Sequence, residues 1–221
     1  GSGMNQVTDD LYNEYEANDP RRDLSISLGY NNGTTFIAQK YPIKWTHTNA
    51  PIGSGNPLAN NNFMVLRYAD VLLMLSEATG DATYLNQVRT RAGLSKFGDA
   101  GYPTAFAGSL STAIEHERRV ELAMEGQYWY DLVRRAYYKQ QEVINYVTSQ
   151  DRGTIQPILY DTAANTVSID PARSSSPRSI GVIDATIFTL PYPESELVQN
   201  PLLRENPVPY QFTEEKIKDL F

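Results

Sequence analysis

The stretch IEHERRVELAMEGQYWYDLVRR, residues 114–135, predicts the fold more strongly than any other part of the chain. Three carboxylates, Glu117, Glu121 and Glu125, recur every four residues, so a helix would bring them onto one face. Arg118 lies among them, and apolar residues flank the cluster. Because guanidinium groups pair with carboxylates through parallel hydrogen bonds, this pattern predicts a half-buried ion-pair network.

The same carboxylates could instead act as the acid and base of a glycoside hydrolase. The neighbouring arginines favour the structural interpretation, because a guanidinium keeps a carboxylate ionised and unsuited to donating a proton. His116 and Glu117 begin a zinc-protease motif, but Val120 stands where its second histidine is needed. His47 is the only other histidine, and no Walker loop, dinucleotide fingerprint or nucleophile elbow is present. The sequence therefore predicts no catalytic residue, no metal site and no cofactor.

Five stretches of this chain resemble motifs of the SusD/RagB family, and they occur in the family's order. They are DPRRD at 19–23, RYADVLL at 67–73, LNQVRTRAGL at 85–94, ERRVELAMEGQYWYDL at 117–132 and LPYPESELVQNP at 190–201. Each motif is short, but together they make a specific match.

The resemblance implies a mainly α fold with minor β (α+β), in which tetratricopeptide-like helices are combined with loops and β-hairpins. Family members are typically more than twice as long, so the match implies the C-terminal portion of such a protein. We expect one domain over residues 4–221, since Gly1–Gly3 is typical of a cloning remnant.

The resemblance also implies function and location. The family binds oligosaccharides at the bacterial outer-membrane surface, without catalysis, and delivers them to a SusC-like TonB-dependent transporter. Its members reach the membrane through an N-terminal lipid anchor on a cysteine, a residue that this sequence lacks. A helical module that docks on the transporter without touching glycan is the alternative of a different class.

Composition supports a globular, polar-ligand protein rather than a nucleic-acid-binding one. Nineteen basic against 26 acidic side chains give a net charge of −7, which argues against a phosphate-binding surface. The 15 tyrosines and 13 prolines predict ordered loops that carry aromatic rings. The apolar run Val71–Leu75 is far too short to span a bilayer.

Hydrophobic periodicity and turn signals give a coarse order of elements. Helices are predicted over 7–17, 63–79, 82–92, 112–126, 127–135 and 140–148, and strands over 24–30, 34–39, 154–160, 166–169 and 180–190. The 63–79 helix is apolar nearly all round, apart from a stripe of Arg67, Asp70 and Glu77, which predicts a helix buried among others. The aromatic run Tyr128–Tyr130 is predicted to pack in the core.

Candidate ligand contacts come from the long loop 41–62, which is rich in proline and asparagine. Tyr41, Trp45 and His47 place three rings within seven positions of it. Trp45 has two open interpretations: its ring stacks on the apolar face of a sugar, or it plugs the loop onto the body.

Two further tyrosines are candidate ligand contacts, Tyr30 at a hairpin and Tyr102 in the loop 94–108. The predicted structural network is a separate set. It comprises Arg67, Asp70, Glu117, Arg118, Glu121 and Glu125.

Overall fold

The computed structural model describes residues 6–45, 64–164, 166–178, 180–181, 183–188 and 193–202. The chain divides into two compact units, one of Gly1–Tyr128 with Asp151–Ser179 and one of Trp129–Gln150 with Ile180–Phe221. The mainly α class with minor β is confirmed, whereas the single domain over 4–221 stays a prediction.

The first unit holds five α-helices, a 3₁₀ turn and four short strand pairs among its described residues. The helices are α1 Asp9–Glu14, α2 Pro20–Ser25, α3 Tyr68–Thr79, α4 Ala82–Arg91 and α5 Leu110–Glu121, with the 3₁₀ turn at Thr104–Phe106. The antiparallel pairs are β1 Ile26–Ser27 with β4 Tyr41–Pro42, β2 Tyr30–Asn32 with β3 Thr35–Ile37, β5 Thr154–Ile155 with β8 Ser176–Pro177, and β6 Ile158–Asp161 with β7 Thr166–Ile169.

The second unit is built on α6, which runs from Gln127 to Ser149 and takes its first two residues from the other unit. Lys139 leaves the helical region inside it (φ −140°, ψ 51°), so α6 is kinked where the sequence predicted two separate helices. A 3₁₀ turn at Ala185–Phe188 and α7, Glu194–Gln199, follow.

The main hydrophobic core lies where α3, α4 and α5 pack together. Its buried members are Ala69, Leu72, Leu73, Leu85, Val88, Tyr102, Ala113 and Ile114. A second cluster joins α1 and β1 to the end of α5 and consists of Val7, Tyr15, Ile26, Val120 and Ala123. Each fully buried Leu, Ile or Val stabilises the fold by about 1.5–3 kcal/mol relative to exposure.

Local capping decides where the helices begin. Thr8 caps α1 as predicted, accepting a hydrogen bond from the Leu11 amide at 3.2 Å, although the helix is shorter than 7–17. The Asp19 side chain caps α2 by accepting a hydrogen bond from the Arg21 amide. The DPRRD segment therefore starts a helix that was not predicted from the sequence. Ser109, rather than Thr112, caps α5, which therefore begins before the predicted boundary.

The β-hairpin at Gly33 is confirmed, with Asn32 paired to Thr35 and Gly33 in the left-handed region at φ 61°. Glycine suits this position because it has no Cβ to clash there. The predicted strand over 180–190 was wrong in its described part, where Ala185–Phe188 is a 3₁₀ turn.

Two predictions about burial were wrong. The outward face of α3 is exposed at Tyr68, Val71 and Leu75, so this helix is buried on one side only. Trp129 is 41% exposed and Tyr130 70% exposed, and neither belongs to a core cluster of the described residues. An apolar sequence shows that a helix can be buried, but the partners available decide whether it is.

Candidate functional site: a charge network and the Trp45 cleft

The three carboxylates of the opening stretch do not all lie on one helix. Glu117 and Glu121 belong to α5, which ends at Glu121, and Glu125 follows in a turn. In that turn Met124 takes φ 66° and Gly126 takes φ 79°, both in the left-handed region. The turn still brings the Glu125 carboxylate to the same group of cations, so the expectation of one continuous helix was wrong while the three carboxylates do converge.

Glu117 is fully buried and lies between two arginines. Its Oε1 accepts from Arg21 Nη1 at 2.6 Å, and its Oε2 accepts from Arg89 Nη1 at 2.9 Å. Arg21 also donates to Glu121 at 2.7 Å and to Asp19 at 2.7 Å. A guanidinium with several donors can bridge carboxylates in this way, whereas a lysine offers only a compact point charge.

Glu121 continues the series at the end of α5. It accepts from Arg67 Nη1 at 2.6 Å and from Arg91 Nη2 at 2.5 Å, in addition to Arg21. Arg67 bridges onward to Glu125 at 2.7 Å, and Lys44 Nζ approaches Glu125 at 2.5 Å. Positive and negative groups thus alternate from Arg89 to Lys44, and we call this series the charge network.

The charge network joins four of the five sequence motifs. Arg21 comes from DPRRD and Arg67 from RYADVLL, while Arg89 and Arg91 come from LNQVRTRAGL. All four donate to carboxylates of the fourth motif. Four of the five motifs therefore contribute charged side chains to one shared ion-pair network.

The network shifts the pKa of its members. Burial alone would raise the pKa of Glu121, but hydrogen bonds and charge from Arg67 and Arg21 outweigh it and lower that pKa to about 2. Burial lowers the pKa of Lys44 despite its pairing with Glu125. For Arg67, burial acts in the lowering direction, but Glu125 and Glu121 raise its pKa above the usual value.

Two other buried pairs flank the network on α5. Arg118 Nη1 donates to Asp70 on α3 at 2.6 Å, and both side chains are almost fully buried. His116 Nδ1 lies 2.8 Å from Glu14, and the imidazole stacks on Phe106 with centroids 3.6 Å apart. Burial would lower the pKa of His116, but the bonds to Glu14 and Glu16 raise it.

This arrangement is suited to holding the helices together rather than to acid–base chemistry. Glu117, Glu121 and Glu125 each contact at least two cationic groups, so the carboxylates are engaged in ion pairs between helices and turns. Within the described ranges, no group of three or more His, Cys, Asp or Glu side chains is arranged to hold a metal ion. No helix in that part of the chain is long and apolar enough to cross a membrane.

A cleft of about 320 Å³ lies beside the network and contains Trp45. Its lining residues are Gln6, Val7, Thr8, Leu11, Pro42, Trp45, Met124 and Gly126. The half-buried Trp45 donates its Nε1 proton to the Met124 carbonyl at 2.8 Å. The indole is therefore fixed to the body and also lies in the wall of a cleft, while stacking on a sugar stays a prediction.

The other predicted ligand contacts lie in different places. Tyr30 and Tyr41 are half-buried and meet edge to face, with ring centroids 6.2 Å apart. Tyr102 is only 6% exposed, with Arg89 over its ring at 4.4 Å and Phe97 against it at 5.3 Å. Its ring belongs to the core, which leaves no face for a ligand.

His47 lies outside the described residues. Several residues of the network and the cleft were not predicted as site residues from the sequence. They are Arg21, Arg89, Arg91 and Lys44 of the network and Gln6 and Thr8 of the cleft. The three arginines stood in the quoted motifs, and counting charges would have found them, since the carboxylates of the fourth motif need more cations than Arg118 and Arg67 supply. No sequence signal marked Lys44 or Gln6.

Comparison with known proteins identifies the class. The sequence model described as the SusD family matches residues 5–208, and the chain belongs to this family. A SusD-like protein of Bacteroides ovatus is 35% identical over 175 residues, and SusD-like protein P2 of Formosa agariphila is 27% identical over 154 residues. These matches cover 69% and 56% of this chain and 30% of each relative.

A solved crystal structure shows the same fold. It superposes with a TM-score of 0.63 at 28% identity, over 95% of this chain and 47% of the other. The chain therefore spans less than half the length of the proteins that it matches. The comparisons indicate no catalytic family.

Proposed function

We propose that this chain is part of a non-catalytic, cell-surface protein that binds oligosaccharide and passes it to a SusC-like TonB-dependent transporter in the outer membrane. Membership of the SusD family carries the proposal, because surface glycan binding and nutrient uptake are the general role of that family. A lipid anchor at the N-terminus of the whole protein would hold it at the outer membrane.

The Trp45 cleft is the site that we propose for glycan contact. An indole in a cleft wall offers an apolar face for the C–H side of a sugar ring, while its edge stays hydrogen-bonded to Met124. Tyr30 on β2 and Tyr41 on β4 meet edge to face and add two further rings outside the described lining of the cleft. These features suit a polar ligand whose rings have apolar faces.

Trp45→Ala is expected to weaken glycan binding by about 1–3 kcal/mol, by analogy with aromatic stacking on nucleobases. The hydrogen bond to Met124 is lost as well, which should cost about 1 kcal/mol of stability. Affinity electrophoresis through polysaccharide-containing gels measures the first effect, and thermal unfolding measures the second.

Trp129→Ala is the matched control, since it removes the other tryptophan of the chain, whose ring stacks on Phe188. This variant should keep the parent's glycan affinity. If Trp45→Ala and Trp129→Ala migrate alike in every gel that retards the parent, Trp45 does not contact glycan.

We expect no hydrolysis of polysaccharide, because the described buried carboxylates of α5 and its following turn are held by arginine and lysine. The measurement is release of reducing ends from a polysaccharide panel, with a heat-inactivated sample as the control. Sustained release that depends on intact protein would contradict the proposal.

A docking module that never touches glycan is the second candidate function. The exposed face of α3 favours it, because Tyr68, Val71 and Leu75 recur at the i, i+3, i+7 spacing of a helix-packing seam. The gels separate the two candidates, since a pure docking module would run unretarded in all of them.

A further inference from the structure

We propose that the Trp45 cleft accepts a neutral sugar ring and discriminates against an acidic one. The inference rests on the proposed function and adds the class of sugar. The described lining contains aliphatic, aromatic, amide and hydroxyl side chains and the backbone of Gly126, and none of its eight residues is ionisable.

The polar groups of the lining match sugar hydroxyls. Gln6 has an amide that both donates and accepts, and Thr8 has a hydroxyl that accepts from the Leu11 amide and keeps its own proton to donate. A sugar hydroxyl likewise donates and accepts, so such groups can satisfy it. A carboxylate only accepts and needs a cation or several donors.

The lysine next to Trp45 is already committed. Lys44 Nζ contacts the carbonyls of Glu121 at 2.8 Å and Ala123 at 3.1 Å, and the Glu125 carboxylate at 2.5 Å. Two of these contacts are hydrogen bonds to backbone carbonyls and the third is an ion pair. The charge of Lys44 is therefore paired within the charge network, and Lys44 is not part of the described cleft lining.

Two other cations lie near the cleft but do not line it. Lys40 pairs with Asp9 at 2.5 Å, so its charge is balanced beside α1. Arg178 Nη1 lies 3.5 Å from the backbone oxygen of Val7, but the Arg178 side chain is not part of the cleft wall.

A carboxylate entering the cleft would lose hydration without gaining a counter-ion from any of the eight described lining residues, which is unfavourable. The net charge of −7 adds a weak long-range repulsion of polyanions. The volume of about 320 Å³ is at the small end of ligand sites, so the cleft would hold one part of a glycan rather than a long segment. Discrimination would therefore act on the individual sugar that enters.

Isothermal titration calorimetry on the 221-residue chain tests the inference with two matched probe sets. One set holds neutral hexasaccharides of glucose, galactose, mannose and xylose, and the other holds uronate hexasaccharides. We expect the best neutral probe to bind at least about tenfold more tightly than any uronate, a difference of about 1.4 kcal/mol. Trp45→Phe, which keeps a ring, should retain more of this binding than Trp45→Ala.

A charge variant makes the test specific to the cleft. Gln6→Lys places a cation in the lining and should narrow the ratio of neutral to uronate affinity by about fivefold or more. Gln141→Lys, the same change on the exposed face of α6, should leave the ratio unchanged.

The outcomes separate this inference from the proposed function. Uronate binding as tight as neutral binding, lost in Trp45→Ala, would overturn the neutral class and leave glycan binding standing. An affinity ratio that Gln6→Lys does not move would also overturn the assignment to this cleft. Absence of binding to either probe set would overturn the proposed function and this inference together.

Discussion

Glu121→Ala is expected to lower the free energy of unfolding by about 3–5 kcal/mol, the usual cost of removing one partner from a buried ion-pair group. The carboxylate accepts from Arg21, Arg67 and Arg91, at 2.5–2.7 Å. Without the Glu121 carboxylate, Arg21 and Arg67 would each lose one of the negative partners that balance their charge, while both side chains remain largely buried. Urea unfolding followed by circular dichroism measures the change.

Glu115→Ala is the matched control, because Glu115 is an exposed carboxylate on the same helix. It should change stability by no more than about 0.5 kcal/mol. Arg118→Ala should behave like Glu121→Ala, since it leaves the buried Asp70 carboxylate without its guanidinium. If Glu121→Ala and Arg118→Ala both unfold with the same free energy as Glu115→Ala, neither the charge network nor the Arg118–Asp70 pair contributes to stability.

Acid should destabilise the fold through the same carboxylate. The pKa of Glu121 is about 2 in the folded chain, against 4.5 for an unperturbed glutamate. The difference corresponds to about 3 kcal/mol of folding stability. Because the folded pKa is the lower one, this contribution is complete above about pH 5 and is lost as the pH falls toward 2.

Unfolding free energies measured between pH 2 and pH 7 test this expectation. Glu121→Gln removes the titrating group, so its stability should fall less steeply across the acid range than that of the parent. His116 acts in the opposite direction: its raised pKa stabilises the fold at low pH, and that contribution is lost as the pH rises through the folded value. If the unfolding free energies of the parent and of Glu121→Gln fall equally as the pH is lowered, Glu121 does not have this role.

The sequence was informative about the fold wherever one local rule was sufficient. Gly33 specified a hairpin, Thr8 a helix cap and the α3–α4 pattern a helix pair, and the structure has all three. It was less informative where long-range packing decides. Nothing local to Tyr130 shows that its ring is 70% exposed. At Asp19 a local signal was present but was taken as a helix stop, because Asp at the N-cap with Pro20 at the first helical position favours a helix start.

The candidate site divides in the same way. Carboxylates at four-residue spacing among arginines signalled a paired network, and those carboxylates do meet arginines in the structure. Ring-bearing loops signalled candidate contacts, but the ring of Tyr102 is buried by Arg89 of α4 and by Phe97 of its own loop. The cleft wall also needs Gln6 and Met124, which are remote from the loop in sequence.

Met124 is the only non-glycine residue with a positive φ in the described ranges, and such a conformation costs about 1–2 kcal/mol in a residue with a side chain. Its carbonyl holds the Trp45 indole, and the next residue, Glu125, is held by Arg67 and Lys44. This turn therefore joins the proposed ligand site to the charge network through two adjacent residues. Thermodynamic linkage makes any coupling between the two reciprocal: ion pairs that change glycan affinity must themselves change in free energy by the same amount when glycan binds.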